Sequence, residues 1–438
     1  MRPTFRNFAP IMKRLLSILT LTAVALTIGA QTAREEISAN IYLAGSNYLD
    51  YDRQLPTQKL TPAPKGYEPY YMSHYGRHGS RWLISENSYI GPLTTMRDAD
   101  SQGKLTQKGK DVLRILEEFY PCTIDRLGDL STVGERQHHG IGKRMVQNFP
   151  EIFKTKDVAI DARSTVVIRC ILSMTAECEE LMAANPTARI HNDVSEALQY
   201  YLNAPWPDRL RKQTAKRNAI REQYRQKLTH TKRLMGVLFN DQQWVSDNLR
   251  AASFTRQLFE IAVNMQSHDT DLEMLSLFTA DEVYDLWKQN NIGWYLEYGP
   301  APQTESIMPF SQLNLLKNII ETTDTVTQTQ ATLRFGHEVC VMPLACLLEL
   351  DNCGAKVEDL DHLEDTWRNY KIFPMGCNIQ LVFYRPKKGK TGEVLVKALL
   401  NEREARLPIQ TTQWPYYSWK ELRQYYLDKI QRFEAGNK

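Results

Sequence analysis

Arg77, His78 and Arg81 share one five-residue stretch, at the end of Tyr70-Tyr71-Met72-Ser73-His74-Tyr75-Gly76-Arg77-His78-Gly79-Ser80-Arg81. Two permanent cations beside one imidazole are costly in a structural core, but they suit the holding of a phosphate against a nucleophile. Gly76 and Gly79 flank the pair and would let the backbone turn sharply and a ligand approach it closely. Arg163 and Arg169 follow a second apolar segment, and His337-Glu338 follow a third. Brought together, these residues would offer several guanidiniums, two imidazoles and a carboxyl group. Phosphoryl transfer needs such a set: forks that neutralise the equatorial oxygens, a nucleophile, and an acid for the leaving group. Histidine serves as nucleophile near neutral or acidic pH, where serine would need a base. A glutamate in an anion site of this kind is expected to have its pKa raised toward that of a proton donor.

Each cluster sits just after a strand-like run. The run through Tyr70–Ser73 delivers Arg77 and His78, Val158–Ala162 delivers Arg163, and Thr332–Phe335 delivers Gly336-His337-Glu338. Helical patterns follow. One opens at Leu105–Gly109 and carries Val112, Leu113, Leu116 and Phe119 on one face; another, capped by Ser131 or Thr132, runs toward Phe149. A third spans about Ile168 to Ala184, and the apolar run Val339–Leu350 is helical, with Pro343 expected near its first turn. Strand, polar turn and helix in repetition predict an α/β fold, a mostly parallel central sheet flanked by helices with its site at the strand C-termini. Ile379–Tyr384 and Val394–Lys397 are further buried strands, and Ser418 with Glu421 has the spacing of a capping box for a C-terminal helix.

Residues 191–325 differ: they are polar, helical in period and poor in strand signals, which reads as an inserted, mostly helical cap. The expected division is therefore 31–66 as a loop-like lead-in rich in proline near its end, 67–190 with 326–438 as the α/β body, and 191–325 as the cap. From Arg209 to Arg233 there are ten Lys or Arg. Such a run is either the solvated face of a surface helix or an attractor for a polyanionic substrate. Trp287, Trp294 and Tyr295 are assigned to packing, and His74, His138 and His139 receive no role.

The 438 residues include 54 basic and 51 acidic ones, but four bases and no acid fall in residues 1–30, so the remainder is close to neutral. That balance gives no argument for nucleic acid or an anionic membrane as partner. Lys13-Arg14, the apolar run Leu15–Ile28 and Gly29-Ala30 form the pattern of a signal peptide, too short to span a bilayer, so the expectation is an exported chain without a stable membrane anchor, periplasmic or secreted. Seven cysteines at Cys122, Cys170, Cys178, Cys340, Cys346, Cys353 and Cys377 leave at least one unpaired and allow up to three disulfides; Cys340 and Cys346 lie in an apolar run as small buried side chains would.

Arg77-His78-Gly79-Ser80-Arg81 resembles the RHGxR motif of the histidine acid phosphatases, the second branch of the histidine phosphatase superfamily. Gly128-Asp129-Leu130 with Gly134-Glu135-Arg136-Gln137 resembles the family's LT-x-x-G helix opening, Arg163-Ser164-Thr165 with Arg169 its RST…R element, and Gly336-His337-Glu338 with Pro343-Leu344 its His-Asp motif and the helix behind it. The matches run from about 67 to 410 in the family's order, with the variable cap in the family's place. Two departures stand out: Leu83 replaces the family's usual proline, and Glu338 occupies the position of the usual aspartate, where the multiple inositol polyphosphate phosphatases have His-Ala-Glu.

The resemblance implies a phosphoglycerate-mutase-like fold and a phosphomonoesterase acting through a phosphohistidine. His78 would be the nucleophile and Glu338 the acid; Arg77, Arg81, Arg169 and His337 would bind phosphate, with Arg163 a salt-bridging support. No metal or other cofactor is implied. The substrate expected is a small phosphorylated molecule, inositol polyphosphates such as phytate first. The alternatives are a broad acid phosphatase of small phosphate esters, or a non-catalytic phosphate-binding protein in which His78 and Glu338 would be dispensable.

Overall fold

The computed structural model describes residues 31–55 and 58–436, so the signal-peptide segment expected over 1–30 lies outside the described residues. The described residues open with α1 (Ala33–Ala39), β1 (Tyr67–Arg77), α2 (Glu86–Ser101), α3 (Gln107–Phe119), α4 (Thr132–Asn148), β2 (Ala159–Ser164), α5 (Ile168–Ala184) and β3 (Arg189–Asp193). The mostly helical stretch α6 (Thr214–Leu228), α7 (Ala251–Asn264), α8 (Ala280–Tyr298) and α9 (Leu313–Thr325) follows. Then come β4 (Ala331–Gly336), α10 (Glu338–Leu348), β5 (Asn378–Pro386), β6 (Leu395–Leu400), β7 (Arg403–Ala405), β8 (Tyr417–Ser418) and α11 (Trp419–Ala435).

Among the described residues the strands form one eight-stranded sheet in the order β3-β2-β4-β1-β5-β6-β7, with β8 beside β6. The run β3-β2-β4-β1 is parallel, and β5 onward is antiparallel. The core strands are therefore mostly parallel, as expected. From Tyr71 to Arg77 every residue of β1 is buried, because helices cover both faces of the sheet. Its alternate side chains divide between two cores. Tyr71 and Tyr75 join Leu315 and Ile319 of α9, Leu344 of α10 and Leu422 of α11; Met72 joins Ile141 of α4 and Met174 of α5.

A third cluster unites α1, α2, α3, α7 and α8 through Ile37, Leu93, Leu113, Leu258 and Trp287. Here the packing departs from the expected division. Helices α2 and α3, expected in the α/β body, share their buried faces with α7 and α8, while α9, expected in the cap, packs in the sheet core. Amphipathic period tells that a helix has an apolar face, not which neighbour covers it. The strand β3 also crosses the expected boundary at 190.

Residues 31–54 are not the loop expected of them. Helix α1 is opened by a capping box: the Thr32 N–H donates to Glu35 Oε2 at 2.8 Å and the Glu35 N–H to Thr32 Oγ1 at 3.2 Å, and 3₁₀ turns follow at Ile41–Tyr48 and Tyr51–Gln54. The prolines that suggested a loop lie further on, at 56, 62 and 64. Pro343 stands within α10, past its first turn. Its missing N–H frees the Val339 carbonyl, which accepts instead from Gln312 Nε2 at 3.3 Å. None of the seven cysteines is paired; six are buried and Cys122 is exposed. Among the described residues no helix is long and apolar enough to cross a membrane.

Candidate active site

The C-terminal ends of β1, β4 and β2 lie side by side, with Arg77 opposite Gly336 and Ser164 opposite Phe335. Each strand therefore delivers its next residues to one edge of the sheet. The His78 N–H donates to the Gly336 carbonyl at 2.9 Å and the Thr165 N–H to that of Phe335 at 3.0 Å, which locks the three turns together. Helices α5 and α10 start at this edge, so two positive helix termini face it.

The Arg77–Arg81 turn is clamped from outside by α4 and α5. The Gly79 N–H donates to Ser173 Oγ at 3.1 Å and the Ser80 N–H to Gln137 Oε1 at 2.9 Å, while Ser131 Oγ, which also caps α4, donates to the Ser80 carbonyl at 3.0 Å. The glycines have a different use from the one expected. A Cβ on Gly79 would stand 2.3 Å from the Gly134 carbonyl oxygen and one on Gly134 only 2.2 Å from that of Ser80. They permit helix α4 to touch the turn backbone to backbone, and Gly76 makes room for the His74 ring.

Six side chains meet here: Arg77, His78, Arg81, Arg169, His337 and Glu338. His78 is fully buried, and its Nδ1 lies 2.8 Å from the Gly79 carbonyl. A carbonyl only accepts, so Nδ1 carries the hydrogen and Nε2 presents its lone pair. Burial, followed by Arg77, Arg169, Arg81 and His337, holds the His78 pKa well below the ordinary histidine value, which keeps that lone pair free. Glu338 approaches from the start of α10, Oε1 at 3.0 Å from Arg77 Nη2 and Oε2 at 3.7 Å from His78 Nε2. The His337 ring stands 5.7 Å from that of His78, and its pKa is pushed down to about 4 by burial, with Arg169, Arg77 and Arg81 adding to it.

The expected rise in the Glu338 pKa is not found. Burial pushes it upward, but Arg77 and Arg81 overcome that and hold it at about 2. The physical reason is that the carboxylate rests among the guanidiniums. Arg77 Nη1 is meanwhile committed to the Asn47 and Phe373 carbonyls, and Arg81 Nη1 to that of Trp82, which fixes both forks. Arg169 Nη1 donates to the Gly128 carbonyl at 3.2 Å. The Nε atoms of Arg77, Arg81 and Arg169 and the Nε2 of His78 remain buried without hydrogen-bond partners. The orphaned guanidinium donors, gathered beside the free lone pair of His78, await an anion with several oxygens.

The sequence profile of the family described as "Histidine phosphatase superfamily (branch 2)" matches residues 77–401. The chain belongs to that family. This histidine phosphatase is a phosphomonoesterase, and its fold is shared with solved relatives. The multiple inositol polyphosphate phosphatase of Bifidobacterium longum in complex with phosphate superposes with a TM-score of 0.73 at 18% identity, covering 88% of this chain and 98% of that one. The same Bifidobacterium enzyme in complex with inositol hexasulfate gives a TM-score of 0.71 at 18% identity, over 87% and 97% of the two chains. The phytase from D. castellii gives 0.66 at 13% identity, over 89% and 85%. Comparison with curated proteins finds no match.

Arg163, read as a support, is held by Asp161 and donates to the Tyr201 hydroxyl at 3.0 Å. His78, His337 and Glu338 place ligand atoms within 4.8 Å of one another, a spacing that could hold a metal ion, but the surrounding Arg77, Arg81 and Arg169 oppose a dication there. The structure also adds residues that sequence reasoning passed over. Tyr48 lies beneath Arg81, whose guanidinium carbon is 5.4 Å from its ring centre, and donates to Glu260 Oε1 at 3.0 Å. His138, given no role, is buried against the Arg77 carbonyl. Beside Tyr48 and Tyr298 opens a cavity of about 500 Å³ lined by Arg221 and Arg225 of α6, Arg256 of α7, and Glu260 and Glu297. Arg221 and Arg225 belong to the basic run, whereas Arg256 stood alone in the sequence and gave no signal.

Proposed function

We propose that this phosphatase hydrolyses inositol polyphosphates such as phytate, through a phosphohistidine on His78. The observation that carries the substrate class is the arginine-lined cavity beside the catalytic centre. Arg221 is neutralised by Glu297 at 2.7 Å, but among the described residues no carboxylate pairs with Arg256. Burial lowers the Arg225 pKa, and crowding by Arg221 and Arg256 lowers it further, so anionic groups entering the cavity relieve that repulsion. Tyr298 and Tyr48 both border the cavity and feel the Glu338 charge, which puts it within reach of a substrate whose reacting phosphate lies at His78. A ring bearing several phosphates meets both needs. The Bifidobacterium enzyme of similar fold holds inositol hexasulfate, which supports the same choice.

In this mechanism Arg77, Arg81, Arg169 and His337 bind the equatorial oxygens, and His78 Nε2 attacks phosphorus as the bond to the leaving oxygen breaks. The arriving phosphate displaces the Glu338 carboxylate from Arg77 and, being anionic, raises its pKa, so that the carboxyl group gains a proton and gives it to the leaving oxygen. The carboxylate then takes a proton from water, whose oxygen attacks phosphorus; the P–N bond breaks and phosphate leaves. No step calls on a metal. The leader-like pattern of residues 1–30 supports export. The test is phosphate release from phytate with EDTA present, beside the His78→Ala variant. Release that survives EDTA and vanishes in the variant is expected. Release unchanged in the variant refutes the nucleophile, and release from an aryl phosphate but not from phytate refutes the substrate.

A further inference from the structure

We propose that His138 and Glu177 are positioning residues for the nucleophile, a buried imidazole–carboxyl dyad that fixes the peptide bond between Arg77 and His78. The inference rests on the phosphohistidine reading above. His138 belongs to α4 and Glu177 to α5, and both are buried from solvent. His138 Nε2 lies 3.0 Å from the Arg77 carbonyl oxygen, and Nδ1 lies 3.0 Å from Glu177 Oε2.

The proton count follows from those partners. The Arg77 carbonyl only accepts, so Nε2 carries a hydrogen. The contact with Glu177 then needs a second proton, either on Nδ1 opposite a carboxylate or on Glu177 opposite a neutral ring. In both forms the dyad is neutral overall and donates to the Arg77 carbonyl. The other carboxyl oxygen of Glu177 has no partner, so its only hydrogen-bonded contact is His138. The ionisable groups around the dyad include His74, Arg144, Cys178 and Glu402, and none of them makes a hydrogen bond to it. A buried polar pair costs more than an apolar filling of the same volume unless its hydrogen bonds are used. The bond to the Arg77 carbonyl is that use.

That carbonyl belongs to the peptide whose N–H, on His78, donates to Gly336 at 2.9 Å. The peptide preceding the nucleophile is thus held at both ends, by α4 through His138 and by β4 through Gly336. Ser173 and Gln137 hold the next two N–H groups of the turn. With the dyad removed, only the N–H end remains held and the peptide can rotate, carrying the His78 ring with it. A misplacement of about 1 Å at a reacting group costs on the order of 100-fold in rate.

The experiment compares His138→Gln, whose amide N–H can replace Nε2, with His138→Leu, which cannot donate, using an aryl phosphate. Thermal melts and near-UV circular dichroism establish folding, and the binding of inorganic phosphate is measured alongside. The expected result is a kcat of His138→Leu about 10- to 100-fold below wild type with slower formation of the acid-quenched phosphoenzyme, and with KM and the phosphate Kd changed by less than about threefold. His138→Gln recovers most of the loss. Should His138→Leu not fold, Glu177→Leu against Glu177→Gln makes the same comparison, since the glutamine amide can still donate to Nδ1. Wild-type kcat in the folded leucine variant, or equal losses in the leucine and glutamine variants, overturns the positioning role. An inactive wild-type protein would instead overturn the phosphatase reading on which it rests.

Discussion

In the proposed mechanism Glu338 occupies the place that a phosphate needs, and its removal then has a calculable consequence. Its pKa is held at about 2 against an ordinary 4.5, a net preference of a few kcal/mol for the charged carboxylate beside Arg77 and Arg81. An oxyanion that takes over Arg77 Nη2 must break this pairing. The loss is partial, because the carboxyl group stays at the N-terminus of α10, so the penalty on binding is on the order of 1–2 kcal/mol. Glu338→Gln removes the competitor and should tighten inorganic phosphate about tenfold at pH 5.5, measured by isothermal titration calorimetry. Turnover of the same variant should fall by 100-fold or more, on the order expected for loss of a general acid. Wild-type binding should also take up a proton, so its affinity weakens as pH rises from 4 to 6, whereas the variant lacks that slope. Phosphate binding unchanged or weaker in Glu338→Gln would refute the account of Glu338 as an occupant of the phosphate site.

The same depressed pKa makes a stability prediction. The Glu338 contribution is present above its unfolded value near 4.5 and lost as pH falls toward about 2, so the Tm advantage of wild type over Glu338→Gln should shrink across that window and stay constant above pH 5. Gly134→Ala puts a methyl group against the Ser80 carbonyl and should lower stability by about 1–3 kcal/mol together with activity, which urea unfolding and an aryl phosphate assay would show. The paired change Arg225→Gln with Arg256→Gln should raise KM for phytate about tenfold and reduce its salt dependence, with a far smaller effect on an aryl phosphate. Gln312→Leu leaves the Val339 carbonyl above Pro343 without its donor and should cost about 1–3 kcal/mol in the same unfolding assay, with KM unchanged.

Read alone, the sequence already carried the residues of the candidate site. Arg77, His78 and Arg81 are adjacent in the chain, so one turn must hold them together whatever the fold, and the strand-like run before each cluster placed Arg169, His337 and Glu338 at the same sheet edge. Helix α5 was legible to its ends because apolar period and flanking breaks are local properties. The protonation states were not legible. A carboxyl group in an anion site reads as a raised pKa until the geometry shows it lying against Arg77, where Coulomb attraction at 3.0 Å exceeds the cost of burial. Nor were the partners of α2, α3 and α9, the use of Gly79 and Gly134, or the meeting of Arg256 with Arg221 and Arg225. Each of these depends on which surfaces touch across long separations in the chain, and the types and spacing of residues within a segment hold no information about the segment that will cover it.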